Sequence, residues 1–373
     1  MKLGLLTFHN TANYGAALQA YAFEKFLTDK GYDCEYINYV NKARARGYNM
    51  SWRIVDSMLH GRVKSAMTYL LGSPFLMLRK YRFNKFYAKY VRATAKVYHT
   101  SAEARELNPV YDFFIVGSDQ VWNPHHNGND MAYLLDFVEE DNKRISFSSS
   151  FGMAKIDEKH REAYKKHLSS FHALAVRERI GCDIIKELTG RSAQLVLDPV
   201  MLLTKEQWMQ VVSKRRYKER FIFSYTNRNS QIADFFKTGY RLEGRKHYIL
   251  SRYTRPFDFF NPKSRVKYCM SPHEFVSVVA HSELVVSASF HCLAMAIIFN
   301  RPFVAIMAGN KGKDERLMNL LRELGLEGRA LSPTMTEADI NAPIDWDCVN
   351  KKIEQLKTSS IEYLDKALLL GYE

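Results

Sequence analysis

The sequence predicts an α/β protein made of two doubly wound domains with a cleft between them. Three observations point there. Short apolar runs of strand length alternate with helix-length segments, the rhythm of βαβ units around a parallel sheet. Several of those runs end in small polar residues, as the ligand-facing edge of such a sheet requires. The 373 residues are also about two to two and a half times the roughly 150-residue prior for one domain.

The elements follow in order. Residues 2–8 read as a strand, then a loop His9-Asn10-Thr11-Ala12-Asn13-Tyr14-Gly15, then a helix over 16–29 with Leu18, Tyr21, Ala22 and Phe26 on one face. Gly31 ends that helix and 34–40 is the next strand, a parallel pair with a right-handed crossover. Residues 42–96 differ: thirteen Lys or Arg stand against one acid, Asp56, with aromatics, Leu and Met interleaved. Helices are expected here, broken at Gly72-Ser73-Pro74.

The α/β rhythm then resumes. Strands are predicted over 111–116, 144–148, 173–176 and 194–197, with helices over 156–170 and 181–188. A second unit begins near Arg220, with strands over 221–225, 246–250, 284–287 and 302–307. Its helices cover 229–238, 290–299 and 314–324, and Ser271-Pro272-His273-Glu274 opens another as a capping box. The expected division is 1–200, with a basic helical insertion at 42–100, then 201–335, then a helical segment 336–373 packing back on the first domain.

Bulk properties narrow the function. Hydrophobic content of 46% and aromatic content of 13% exclude a disordered chain. The formal charge of +14 points to an anionic partner: phosphate, nucleic acid or a membrane surface. Five scattered cysteines without CxxC spacing argue against a disulfide framework and a zinc knuckle and fit a reduced cytosol. The first apolar run is too short for a secretory segment, and no stretch reaches the ~18 apolar residues of a membrane span. A cytoplasmic protein able to touch the inner membrane face is expected.

Candidate chemistry sits at the strand ends. Asn10, Asn13, Tyr14 and Gly15 lie at a helix N-terminus, where backbone N–H groups and the helix dipole favour an anion; a capped turn without a ligand is an equal reading. GxGxxG and GxxxxGK[ST] are both absent. Gly117, Ser118 and Asp119 follow a buried strand; Ser118 and Asp119 suit a sugar hydroxyl or, more commonly, a helix cap. Trp122 reads as core rather than as a stacking platform. His291, in Ser287-Ala288-Ser289-Phe290-His291, lies between a strand end and a very apolar helix. Spacing alone slightly favours a core histidine, but the sheet edge suits proton exchange beside an anion. His125 and His126 read as a surface loop, and no metal site is expected. Arg177, Lys311, Lys313 and Arg316 are candidate anion ligands or solvated charges.

Together these segments resemble the polysaccharide pyruvyl transferase family. The similarity is carried by Phe8-His9-Asn10-x-x-Asn13-Tyr14-Gly15-Ala16, Phe114–Asn123, Ser148–Gly152, Val176-Arg177-Glu178, Leu197-Asp198-Pro199, Ser289-Phe290-His291, and Phe299–Phe303 with Arg316 and Leu324-Gly325-Leu326. The motifs run in order from residue 3 to about 330. The resemblance implies two Rossmann-like domains in a GT-B-like arrangement with an interdomain cleft. It implies phosphoenolpyruvate as co-substrate, no other cofactor, and a pyruvate ketal on a sugar of a surface polysaccharide or its lipid-diphosphate-linked precursor. It makes His291 a catalytic residue. Ser289 stands where many members carry Arg, so the cation that holds the phosphate stays open.

On that reading His291 acts as general acid or base and Asp119 as a base for the sugar hydroxyl. Arg177, Arg316, Lys311 and the helix start at Ser289 hold phosphate or carboxylate. Asn10, Asn13, Tyr14, Ser118 and Asp119 orient the sugar, and Gly15 and Gly117 belong to the substrate-binding set. Residues 42–96 would rest on anionic membrane. The enzyme alternative is a glycosyltransferase using a nucleotide sugar. A nucleic-acid module ranks below both, because its motifs are absent.

Overall fold

The uncharged run after Lys2 forms β1 (Lys2–Leu6), and the following helix is α1 (Tyr14–Asp29), capped by the Asn13 side chain accepting from the Ala16 N–H. In this computed structural model the described residues are 1–48, 50–226, 229–251, 264–307, 309 and 311–369, with the side chains of 46–48, 50, 64, 229 and 311–313 outside the description. The first unit continues through β2 (Asp33–Tyr36), α2 (Lys42–Tyr48), α3 (Met50–Leu59), α4 (Val63–Tyr90), α5 (Ser101–Ala104), β3 (Phe113–Val116) and α6 (Pro124–Asn127). Then come β4 (Arg144–Ser146), α7 (Glu158–Ser169), β5 (Ala175–Val176), α8 (Arg179–Thr189), β6 (Gln194–Leu195) and α9 (Lys205–Met209).

The first sheet has the order β2-β1-β3-β4, all parallel. β5 and β6 form a parallel pair beyond β4, linked to it by the bridge Ile145–Ala173. Leu3 and Leu5 pack into one core cluster and Leu6 into another. Burial on both faces explains why these strands read as continuous apolar runs.

The second unit contains β7 (Phe221–Tyr225), α10 (Asn229–Phe236), β8 (Lys246–Leu250), β9 (Ser264–Lys267), α11 (Pro272–His281), β10 (Leu284–Ser287), α12 (Phe290–Ile298), β11 (Phe303–Ala305), α13 (Lys311–Leu324), α14 (Glu337–Asn341) and α15 (Trp346–Leu369). Its parallel sheet has the order β11-β10-β7-β8-β9. The Ser271 capping box forms at α11. β9 has no apolar run to mark it, Val266 being its one aliphatic residue; pairing with β8 makes it a strand.

The break expected at Gly72-Ser73-Pro74 does not occur, because α4 runs through Pro74. A proline removes one intrahelical donor, but tertiary contacts hold the helix: before the proline, Arg53 of α3 lies over the Tyr69 ring at 5.4 Å. Phe75 packs on Tyr268 and Phe83 on Tyr14, with ring centroids 5.4 and 5.0 Å apart.

The two units meet along α1, α4, α11 and α12. Tyr14 stacks on Phe275 at 4.5 Å and donates its hydroxyl to the Met270 carbonyl at 2.8 Å. Arg82 donates to the Cys269 carbonyl and pairs with Glu274. α15 crosses back to the first unit: the Tyr363 hydroxyl donates to the Ser146 carbonyl, Ser360 Oγ accepts from the Leu197 N–H, and Asp365 pairs with Lys30.

Candidate active site

The carboxyl ends of β3, β5 and β6 converge on one buried carboxylate. Gly117, after β3, has φ of +141° and a Cβ there would overlap the Phe147 carbonyl, so the chain turns where a side chain would not fit. The turn delivers Ser118, whose hydroxyl donates to Asp198 Oδ2 at 2.8 Å. Arg177, after β5, donates from Nη1 to the same oxygen at 2.6 Å and to Ser118 Oγ at 3.2 Å. Asp198, after β6, uses Oδ1 to accept from the Val200 N–H. Glu178 faces the neighbouring loop, accepting from the Ser150 hydroxyl at 2.6 Å and the Phe151 N–H at 3.2 Å.

The second unit brings an imidazole to this carboxylate. His291, in the first turn of α12, places Nε2 3.6 Å from Asp198 Oδ2. Gly15, in the first turn of α1, packs against the ring, and a Cβ at that position would overlap it. Arg316 of α13 and Arg177 both lie over the Phe290 ring, at 5.4 and 5.3 Å. Asp119, with φ of +64°, lies 3.5 Å from Arg44 Nη2 and 3.9 Å from Arg177 Nη2.

The electrostatics follow from burial and neighbours. Burial pushes Asp198 upward, but His291, Arg177 and the Ser118 hydroxyl outweigh it and hold the carboxyl well below the usual carboxylate range. Asp119 is treated alike: burial raises it, and Arg44, Arg177 and His291 bring it below its ordinary value. Burial and then the neighbouring Arg177 lower Arg316 to about 10, which leaves it a cation at neutral pH. Several buried polar atoms here lack a hydrogen-bond partner: Arg177 Nε and Nη2, Arg316 Nε, His291 Nε2 and Glu178 Oε2. Buried polar groups are normally paired. Three of these nitrogens face carboxylates beyond hydrogen-bond distance: Arg177 Nε lies 3.6 Å from Glu178 Oε2, Arg177 Nη2 3.9 Å from Asp119 and His291 Nε2 3.6 Å from Asp198. Guanidinium groups with donors to spare suit a small anion.

The sequence candidates divide. His291, Asp119, Gly117, Ser118, Arg177, Arg316 and Gly15 come together. Ser118, however, is buried with its hydroxyl committed to Asp198, so it braces the carboxylate and has no free donor for a sugar. Tyr14 is buried with its hydroxyl on Met270, so it builds the interface between the units. Asn13 caps α1. Asn10 is exposed and donates to Asn38 Oδ1 at 2.7 Å. Ser289 is the N-cap of α12 but makes no side-chain cap bond. Lys311 opens α13; its side chain, like that of Lys313, lies outside the described residues. Trp122 is core, its indole donating to the Tyr133 carbonyl.

Sequence reasoning gave no role to Asp198, Glu178 or Arg44. The first two stand in strand-end motifs that could have flagged them. Arg44 carried no signal, being one basic residue among thirteen in 42–96.

Comparison with known proteins bears on the family and the fold. A family model described as polysaccharide pyruvyl transferase matches residues 13–310. No curated protein sequence matches the chain. Among solved structures, S. aureus MnaA with UDP aligns with a TM-score of 0.50 at 9% identity, covering 96% of this chain and 89% of that one. A provisionally assigned UDP-N-acetylglucosamine 2-epimerase from Listeria monocytogenes gives 0.50 at 8% identity, covering 96% and 90%. The UDP-GlcNAc 2-epimerase from Neisseria meningitidis, bound to UDP-GlcNAc, gives 0.46 at 8% identity, covering 100% and 94%. At such identities the likeness to the first two is one of fold alone: two parallel α/β units in a GT-B arrangement. With the family model spanning most of its length, the chain belongs to the polysaccharide pyruvyl transferase family.

Proposed function

We propose that this transferase moves the enolpyruvyl unit of phosphoenolpyruvate onto a sugar of a surface polysaccharide or its lipid-linked precursor, forming a pyruvate ketal. The observation that carries the reading is that His291, Arg177 and Arg316 lie together between the two units, both guanidinium groups over the Phe290 ring and each with a donor that makes no hydrogen bond. Phosphoenolpyruvate is small and carries a phosphate and a carboxylate, which suit two guanidinium groups.

Ketal formation needs a proton on the methylene carbon, attack of one sugar hydroxyl at C2, loss of phosphate and attack of a second hydroxyl. Of the two hydroxyl protons released, one ends on the new methyl group and one on phosphate. In this reading His291 moves these protons, its Nε2 being 3.6 Å from the buried Asp198 carboxylate. Arg177 and Arg316 neutralise the departing phosphate. Asp119, held as a carboxylate between two arginines, is a weak base; it is better suited to positioning those cations and accepting from the sugar.

The test is incubation of the protein with phosphoenolpyruvate and candidate lipid-linked sugars. The expected result is a product heavier by one pyruvyl unit, with stoichiometric phosphate release. Consumption of a nucleotide sugar with phosphoenolpyruvate untouched would overturn the reading in favour of a glycosyltransferase.

A further inference from the structure

The helical insertion carries a surface that no other described part of the chain covers. α4 is apolar on two faces. One face, with Phe83, Phe86 and Tyr87, is buried against the protein. On the other, Val63, Met67, Leu70, Leu71, Met77 and Tyr81 are each at least half exposed, from 50% for Met67 to 69% for Met77. Their spacing puts them within an arc of about 120° at 3.6 residues per turn, as a stripe about 27 Å long. The antiparallel neighbour α3 adds exposed Trp52, Val55 and Leu59.

The charge around the stripe says what covers it. Between residues 50 and 90 Asp56 is the one acid, and Arg62, Lys80, Lys85 and Lys89 are exposed on α4 and at its start. A second copy of the chain would set this excess of positive charge against itself. A nucleic acid would leave the aliphatic stripe in water. An anionic bilayer accepts both: side chains such as leucine, methionine and tryptophan enter the headgroup boundary while lysines and arginines face lipid phosphates. Among the described residues no helix is long and apolar enough to cross a membrane, so contact lies along the helix.

We propose that α3 and α4 form a peripheral docking surface for anionic lipid, with the exposed stripe of α4 lying in the plane of the interface. This goes beyond the proposed reaction and stands or falls without it. The test is sedimentation of the full chain with vesicles of phosphatidylcholine alone or enriched in phosphatidylglycerol. The parent is expected to bind the phosphatidylglycerol vesicles, less so at high salt, and to leave phosphatidylcholine vesicles largely unbound. The triple variant Leu70→Glu, Leu71→Glu, Met77→Glu is expected to lose at least about tenfold in partitioning with an unchanged melting temperature, since all three residues are exposed. Lys80→Ala, Lys85→Ala, Lys89→Ala is expected to bind more weakly while keeping the preference for anionic lipid. Three results would overturn the proposal: a parent that binds neither vesicle, a stripe variant that binds as the parent does, or a parent dimer that the stripe variant dissolves in the absence of vesicle binding.

Discussion

Nε2 of His291 lies 3.6 Å from Oδ2 of Asp198, and the two residues belong to different units. The same carboxylate oxygen receives Arg177 Nη1 and the Ser118 hydroxyl. One buried oxygen therefore ties the first unit's strand ends to the second unit's imidazole, and the docking of the two units sets the distance on which proton transfer depends.

Replacement of His291 tests the centre of the proposal. His291→Ala is expected to lower pyruvyl transfer by about 10²–10⁴-fold, the usual contribution of a general acid or base. Circular dichroism should match the parent. Turnover at the parental rate by folded His291→Ala would remove the residue from the mechanism.

Gly15 supplies a subtler probe. A methyl group in Gly15→Ala would overlap the His291 ring, so the imidazole must move. Overpacking costs about 1–3 kcal/mol of stability, whereas a displacement near 1 Å at the reacting centre costs roughly 10²-fold in rate. Activity should fall far more than the melting temperature does.

The two arginines are expected to separate in stability. Arg177 is buried and bound to Asp198; Arg177→Ala leaves that carboxylate without its cation and should cost roughly 3–5 kcal/mol in denaturant unfolding. Arg316, half-buried with an unpaired Nε, should tolerate Arg316→Ala with little loss of stability. Its phosphoenolpyruvate KM should rise about 10–100-fold, the equivalent of one charge-assisted hydrogen bond.

Asp198 makes a pH prediction. Its folded-state affinity for a proton is well below that of an ordinary aspartate near 3.9, so the unfolded chain binds the proton more readily. The stabilisation is fully present above roughly pH 5 and is lost as pH falls below about 4 towards the folded value. Asp198→Asn should be less stable than the parent at neutral pH and show a shallower loss of stability on acidification. Unfolding free energies measured across that range check both slopes.

Tyr14 separates structure from chemistry. Tyr14→Phe keeps the ring on Phe275 and loses the bond to the Met270 carbonyl, at a cost of about 1 kcal/mol. Transfer activity should stay within a few-fold of the parent. A loss near that of His291→Ala would return Tyr14 to the substrate.

Much of this was legible in the sequence, because periodicity and strand-end composition are local. The apolar runs at 2–6, 113–116, 221–225 and 284–287 mark buried parallel strands without reference to anything distant, and the cap at Ser271 is written within four residues. The motifs at Asn13-Tyr14-Gly15, Gly117-Ser118-Asp119 and Ser289-Phe290-His291 carry the family in the same way. What the tertiary structure decided is which polar groups satisfy one another. Ser118 meets Asp198 across 80 residues of chain, and the Tyr14 hydroxyl finds the Met270 carbonyl 256 residues away. Pro74 stays helical because Phe75 and Phe83 find aromatic partners outside α4. A side chain's hydrogen-bonding capacity is a property of its residue type, but its partner is chosen by packing, and that choice separates a brace such as Ser118 from an unpaired donor such as Arg316 Nε.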